Sequence, residues 1–192
     1  SNLRRVIAPI AKDLKTEKPR LLHATSYGYI CPHETPEGAP NGLVKNMALT
    51  SFITKNISDE PVKEILLDEG MKSIEKITPI DLMMSVKIFV NGVWIGIHKD
   101  VYTLVKRLKH LRRTGMMHPM TGIVWISEQG ELKIYTDGGR LTRPLYIVEE
   151  NKYKIMMPEY KKKFEEVINR KKHWMTLITD GSTEPGCMEF VD

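Results

Sequence analysis

The sequence predicts an α+β fold: a loop-rich first segment, then a mixed α/β region with β-hairpins and two to three amphipathic helices. Three observations carry this expectation. Residues 21–46 read LLHATSYGYICPHETPEGAPNGLVKN and hold three prolines and three glycines. Proline removes a backbone donor and glycine admits left-handed backbone, so the stretch is a shaped loop rather than a helix or a central strand. From Val86 onward apolar residues alternate with period two on either side of Asn91-Gly92, the signature of a tight hairpin. Residues 100–113 and 158–172 repeat apolar side chains at helical spacing.

In chain order, residues 1–20 contain Pro9 and Pro19 and keep no period, which predicts a loop between anchored ends. β-Branched and aromatic residues over 21–30 predict extended chain running into the turns, and Leu43, Val44, Met47, Leu49, Phe52 and Ile53 anchor the far side of the loop. Over 58–70 a cap at Ser58 or Asp59, Pro61 in the first turn, an apolar face of Val62, Ile65 and Leu66, and Gly70 predict an amphipathic helix. The hairpin pairs Val86, Ile88 and Val90 with Val93, Ile95 and Ile97. Asp100 caps the next helix, with Val101, Leu104, Val105, Leu108 and Leu111 inward and Lys106, Arg107, Lys109, Arg112 and Arg113 outward. Strands over 123–127 and 132–136 meet at Gln129-Gly130, Asp137-Gly138-Gly139 bends the chain, and 145–149 is a further strand. The final helix, 158–172, puts Tyr160, Phe164, Val167 and Ile168 on one face. A composition shift over 73–85 sets the expected domains at 1–72 and 73–192.

With 192 residues and 41% hydrophobic content the chain is long enough for one large or two small cores. The net charge of +5 is unevenly spread. Residues 1–20 place Arg4, Arg5, Lys12, Lys15, Lys18 and Arg20 against only Asp13 and Glu17, and 106–113 is basic throughout its charged positions. Such clusters are felt by an anion within a Debye length, although each also fits a solvated surface or a helix C-terminus. Two distant cysteines, Cys31 and Cys187, build neither a zinc site nor a disulfide framework, so a reducing compartment is expected. No apolar run reaches membrane-spanning length and no signal-peptide pattern is present, which leads to the expectation of a soluble, intracellular protein. His23 has no neighbouring nucleophile, Cys31 has no cation to activate it, and Pro36 leaves the relative direction of Glu34 and Glu37 open.

The string HxTxxGxxCPxETPEGxxxGLVKN, from His23 to Asn46, resembles the second-largest (β-type) subunit of multisubunit DNA-directed RNA polymerases of eukaryotic, archaeal or large-DNA-virus type. SNLRR at the start, FVNGVWIGIH from Phe89, LKIYTDGGRLTRPLYIVEE from Leu132 and MEFVD at the end extend the resemblance in the family's order. It implies a fork segment (domain 3-like) over 1–72 and an external-two region (domain 4/5-like) over 73–192. It also implies that the chain is part of a nucleotidyltransferase that is not catalytic in isolation. No catalytic or metal-binding residue is expected in it; Mg²⁺ serves the complete enzyme, and this fragment binds no cofactor itself. Nucleic-acid contacts are expected from Arg4, Arg5, Lys12, Lys15, His23, Glu37, Lys45 and Asn46, with Glu37 a positioning group and Lys45 and Asn46 reaching phosphates and backbone. The DGGR corner implies an arginine, Arg140, that satisfies buried carbonyls. The expected partners are the largest subunit, the other polymerase subunits, the DNA template and the RNA transcript, in the nucleus or, for a viral enzyme, a cytoplasmic factory or virion. Two rivals stay open: a free-standing nucleic-acid-binding module, and a hydrolase using His23 with Glu34 or Glu37.

Overall fold

The computed structural model describes residues 2–11, 14–179, 181 and 184–192. It is α+β, and its backbone divides into two compact units, Ser1–Ile53 with Leu141–Arg143, and Thr54–Arg140 with Pro144–Asp192. The composition shift over 73–85 falls within the second of these units.

The first unit is built on a short antiparallel ladder between β1 (Arg5–Ile7) and β2 (Val44–Asn46), in which Arg5 faces Asn46 and Val6 faces Lys45. Residues 1–20 are therefore not all loop. The aperiodic sequence hides a strand of three residues whose partner lies some 40 positions away, and a pairing so distant leaves no local trace. Residues 21–30 also differ from the extended chain expected. A 3₁₀ turn, Ala24–Ser26, is capped by His23, and only Ile30 bridges to Met47. Local side-chain capping prevails over β propensity in that segment. β3 (Phe52–Ile53) pairs with Leu141 and Thr142 at the start of β9 (Leu141–Tyr146).

The second unit holds the main core. α1 (Glu60–Asp68) starts at Asp59, with Pro61 in its first turn, and is followed by Gly70 at φ +91°. β4 (Lys72–Ser73) precedes α2 (Pro79–Met83), a short helix fixed by a reciprocal Thr78–Asp81 capping box and Pro79 at its first position. The T-P-x-D start signal encodes this helix locally, whereas five residues are too few to show an apolar period. β5 (Val86–Val90) and β6 (Val93–His98) form the hairpin, with Asn91 and Gly92 both at positive φ, as a type I′ turn requires. Ile88 faces Gly96 while Phe89 faces Trp94, so Ile95 is an extra, bulged residue. α3 (Val101–Thr114) runs from the Asp100 cap to Gly115 at φ +81°. β7 (Gly122–Ile126) and β8 (Glu131–Tyr135) complete a five-stranded sheet of order β4-β6-β5-β8-β7, antiparallel except for β5 beside β8. Val62 and Leu66 of α1 and Leu104, Leu108 and Leu111 of α3 bury themselves with Ile88, Val90, Leu132 and Ile134 of the sheet. Each such side chain contributes roughly 1.5–3 kcal/mol of transfer free energy.

The expected strand over 145–149 is divided between the end of β9 and β10 (Val148–Glu149), which turns back onto β11 (Lys152–Tyr153). α4 (Pro158–Ile168) stops four residues earlier than expected, because Arg170 takes up left-handed backbone (φ +55°). Ile168, assigned to the buried face, is exposed as a result, while Tyr160 packs with Ile155, Leu177 and Cys187. β12 (Met188–Val191) carries the acidic end of the chain into this unit. Arg112, expected on the outer face of α3, is buried.

Candidate nucleic-acid interface

Within the first unit, the Pro/Gly loop between residues 31 and 42 is held at three places. Thr35 donates its hydroxyl proton to the Val44 carbonyl (2.9 Å), and the same oxygen accepts the Gly42 amide (2.9 Å). Asn46 Nδ2 donates to the Glu34 carbonyl (3.1 Å), while the Cys31 amide donates to the Asn46 carbonyl (2.8 Å). Arg20 reaches across from the N-terminal stretch and donates from Nη1 to the carbonyls of Ala39 and Asn41, 2.7 Å each. Gly42 is required where it stands: it has φ +72°, and a Cβ there would lie 2.6 Å from the Arg20 carbonyl oxygen. The loop is thus pinned at both ends and clamped near its tip, with Glu37 and Gly38 exposed between.

Because side chains alternate across a β ladder, Lys45 and Asn46 leave β2 on opposite faces. Two cavities result, and they share Cys31, Pro32 and Glu34 as a common wall. The smaller, about 220 Å³, brings Lys45 and His23 together with Arg20, Thr35 and Asn41. The larger, about 510 Å³, is lined by Arg4 and Asn46 with Met47, Ala48 and Leu49. A third, open depression of about 560 Å³ places Lys15 beside Glu17, Arg20, Gly38 and Ala39.

The expected contact residues therefore fall into separate groups. Lys45 and His23 share a cavity, although the His23 ring is already engaged, with Nδ1 2.7 Å from the Thr25 hydroxyl and 3.3 Å from the Thr25 amide that it caps. Arg4 turns its guanidinium onto the chain and donates from Nη2 to the Ala48 carbonyl (2.5 Å). Asn46 is buried and spends its amide on the loop. Arg5 and Lys15 are exposed, Glu37 is exposed and lines none of the three cavities, and Lys12 lies outside the described residues. Glu34 faces the cavity that holds His23, but Glu37 does not, so these two carboxylates do not converge on one pocket. Arg20 and Thr35, which fix the loop, were not singled out from the sequence. In the sequence Arg20 is one more positive charge, since its role depends on a contact with a turn about 20 residues away.

The basic run on α3, in the second unit, is largely committed. Arg107 pairs with Glu69 (3.0 Å), Arg112 and Arg113 both pair with Glu189, and Lys106 stands 4.2 Å from the centre of the Tyr102 ring. Arg140 of the DGGR corner donates from Nη2 to the Met120 (2.9 Å) and Tyr135 (3.3 Å) carbonyls and pairs with Asp192, which is the role the resemblance implied. Among the described residues no three carboxylate, imidazole or thiol groups converge to hold a metal ion, and no helix is long and apolar enough to cross a membrane.

Comparison with known proteins places this geometry in a family. The model of RNA polymerase Rpb2, domain 3, matches residues 1–53, and that of RNA polymerase Rpb2, domain 4, matches residues 88–149. The DNA-directed RNA polymerase II subunit RPB2 of Encephalitozoon cuniculi is 42% identical over 184 residues, 96% of this chain and 16% of that protein. The DNA-directed RNA polymerase II subunit 2 of Arabidopsis thaliana is 45% identical over 152 residues (79% of this chain, 13% of the relative). DNA-directed RNA polymerase subunit 2 of Acanthamoeba polyphaga mimivirus is 41% identical over 156 residues (79% and 13%). The chain spans only 13–16% of the length of these relatives. Two consecutive domain matches and identity above 40% across nearly the whole chain establish that it belongs to the Rpb2 family, the second-largest subunits of DNA-directed RNA polymerases.

Proposed function

We propose that the chain acts as part of the second-largest subunit during DNA-templated RNA synthesis, with the pinned loop of its first unit lying against nucleic acid near the active centre. One observation carries the proposal: a rigidly held Pro/Gly loop leaves Glu37 at an exposed tip and Lys45 half-buried on a cavity wall, with Lys15 beside the loop. Lys45 and Lys15 would meet phosphates as point charges, and the exposed Arg5 adds a third cation. Glu37 cannot bind phosphate. It would orient a neighbouring cation or accept a hydrogen bond from a ribose hydroxyl or a base. Arg4, Asn46 and His23 support the surface, since their polar atoms already hold the chain in place.

Mg²⁺ would supply the phosphoryl-transfer chemistry of the complete enzyme. This chain's own residues bind and position nucleic acid. The remaining partners are the largest subunit and the other polymerase subunits, and the site of action is wherever that assembly transcribes, the nucleus or a viral factory. The test is a polymerase reconstituted with Lys45→Glu in this segment. It should still assemble with the largest subunit in a pull-down, yet lose at least tenfold in RNA synthesis on a primed template. Normal synthesis by the assembled variant would overturn the proposal, and a wild-type chain that never enters a polymerase would favour a free-standing module.

A further inference from the structure

The second unit carries a cavity of about 450 Å³, well away in sequence from the loop. Its floor is apolar, from Leu67, Met71 and Ile97, and Lys72, Lys76 and Lys99 stand around it against a single carboxylate, Asp81. Lys72 bonds Asp81 directly, and Lys99 lies 3.9 Å from the same carboxylate. Asp81 also accepts from the hydroxyl and amide of Thr78, and these contacts hold its carboxyl well below the usual carboxylate range. That one anion is thus fully used, and the rim keeps a positive excess. Between the lining residues Asp81 and Ser85, Met83 at the end of α2 and its C-cap Met84 stand in solvent, with Ile80 one turn earlier. Met83 is 86% exposed. Apolar side chains so grouped on a short helix mark a contact surface, and methionine adapts to varied partners.

Two lining residues also hold buried polar atoms without a hydrogen-bond partner, Ser85 Oγ and His98 Nδ1. His98 Nε2 lies 3.1 Å from the Glu69 carbonyl, an oxygen that only accepts, so Nε2 carries the proton and Nδ1 is left as an acceptor. A phosphodiester, which offers only acceptors, cannot satisfy it. We infer that this cavity, with the exposed face of α2, is the docking site for an acidic polypeptide segment bearing an apolar side chain. Its carboxylates meet the lysines, and the apolar side chain enters between Leu67 and Ile97.

The experiment is an NMR titration of the ¹⁵N-labelled 192-residue chain with three probes: an octapeptide of aspartate and glutamate interrupted by one leucine and one phenylalanine, its lysine counterpart, and a 12-nucleotide single-stranded RNA. The acidic peptide should shift the amides of residues 71–85 and 97–99 to saturation, with the lysine peptide and the RNA leaving them in place. The exposed pair Lys76→Glu with Lys99→Glu should weaken this binding at least tenfold, and Met83→Ser several-fold, with the rest of the spectrum unchanged. Shifts by RNA but not by the acidic peptide, equal response to both peptides, no response at these residues, or undiminished binding by the variants would each overturn the inference.

Discussion

The Arg112 guanidinium lies 2.7 Å from the Glu189 carboxylate, and the same carboxylate accepts from Arg113 Nη2 and Nε at 3.0 and 3.1 Å. Arg112 is only 6% exposed and also donates to the Thr121 carbonyl (2.9 Å), so its charge has no recourse to water. The pair ties the C-terminal turn of α3 to β12 and converts two residues of a basic run into structural members. Glu189→Gln should cost about 2–3 kcal/mol, somewhat under the roughly 3–5 kcal/mol for breaking a fully buried pair, because Glu189 keeps some solvent contact. Chemical denaturation of the two proteins measures it.

The same carboxylate makes stability depend on pH. Burial pushes the Glu189 carboxyl up, but the hydrogen bond from Arg113 and the charges of Arg112 and Arg113 outweigh it and leave it below its ordinary value of 4.5. A carboxylate with a depressed folded-state pKa contributes stability that is complete above the unfolded value and is lost as pH falls through the folded one. The urea midpoint of the native chain should therefore fall below about pH 4.5 more steeply than that of Glu189→Gln, the two curves converging at the acid end.

Gly42→Ala should destabilise the first unit. The residue sits at φ +72° with the Arg20 backbone against it, so the methyl group meets both a strained torsion and a collision. Left-handed strain alone costs about 1–2 kcal/mol. Hydrogen exchange should show faster opening of the β1–β2 amides, with the α3 amides unchanged.

Arg20→Ala removes both hydrogen bonds to the loop tip and should leave the ladder in place. Limited proteolysis is the readout: cleavage should rise selectively within residues 37–41, and unchanged cleavage would show that Thr35 and Asn46 suffice to hold the loop.

The sequence announced what was local. Asn91-Gly92, the Asp100 cap with Gly115, and the apolar spacing of Leu104, Leu108 and Leu111 each encode their geometry within a few residues, and each stands in the structure as read. What it concealed was distant. β1 needs β2, Arg20 needs Ala39 and Asn41, and the burial of Arg112 needs Glu189, which reads as one residue of an acidic tail. The bulge at Ile95 was hidden because an alternating pattern says nothing about an extra residue beside Gly96. The motif around the loop named the family, but which of its polar residues face outward emerged only from the alternation of Lys45 and Asn46 on β2 and from the engagement of Arg4 and His23.

The account stands on the pinned loop facing nucleic acid. A photo-crosslinking amino acid placed at Glu37 in a reconstituted polymerase paused on a labelled template and transcript, with Glu128 on the exposed β7–β8 turn as control, measures this directly. The account predicts label transfer from DNA or RNA at position 37 and none at position 128. Crosslinks from position 37 to protein alone, in a complex that extends its RNA normally, would contradict it.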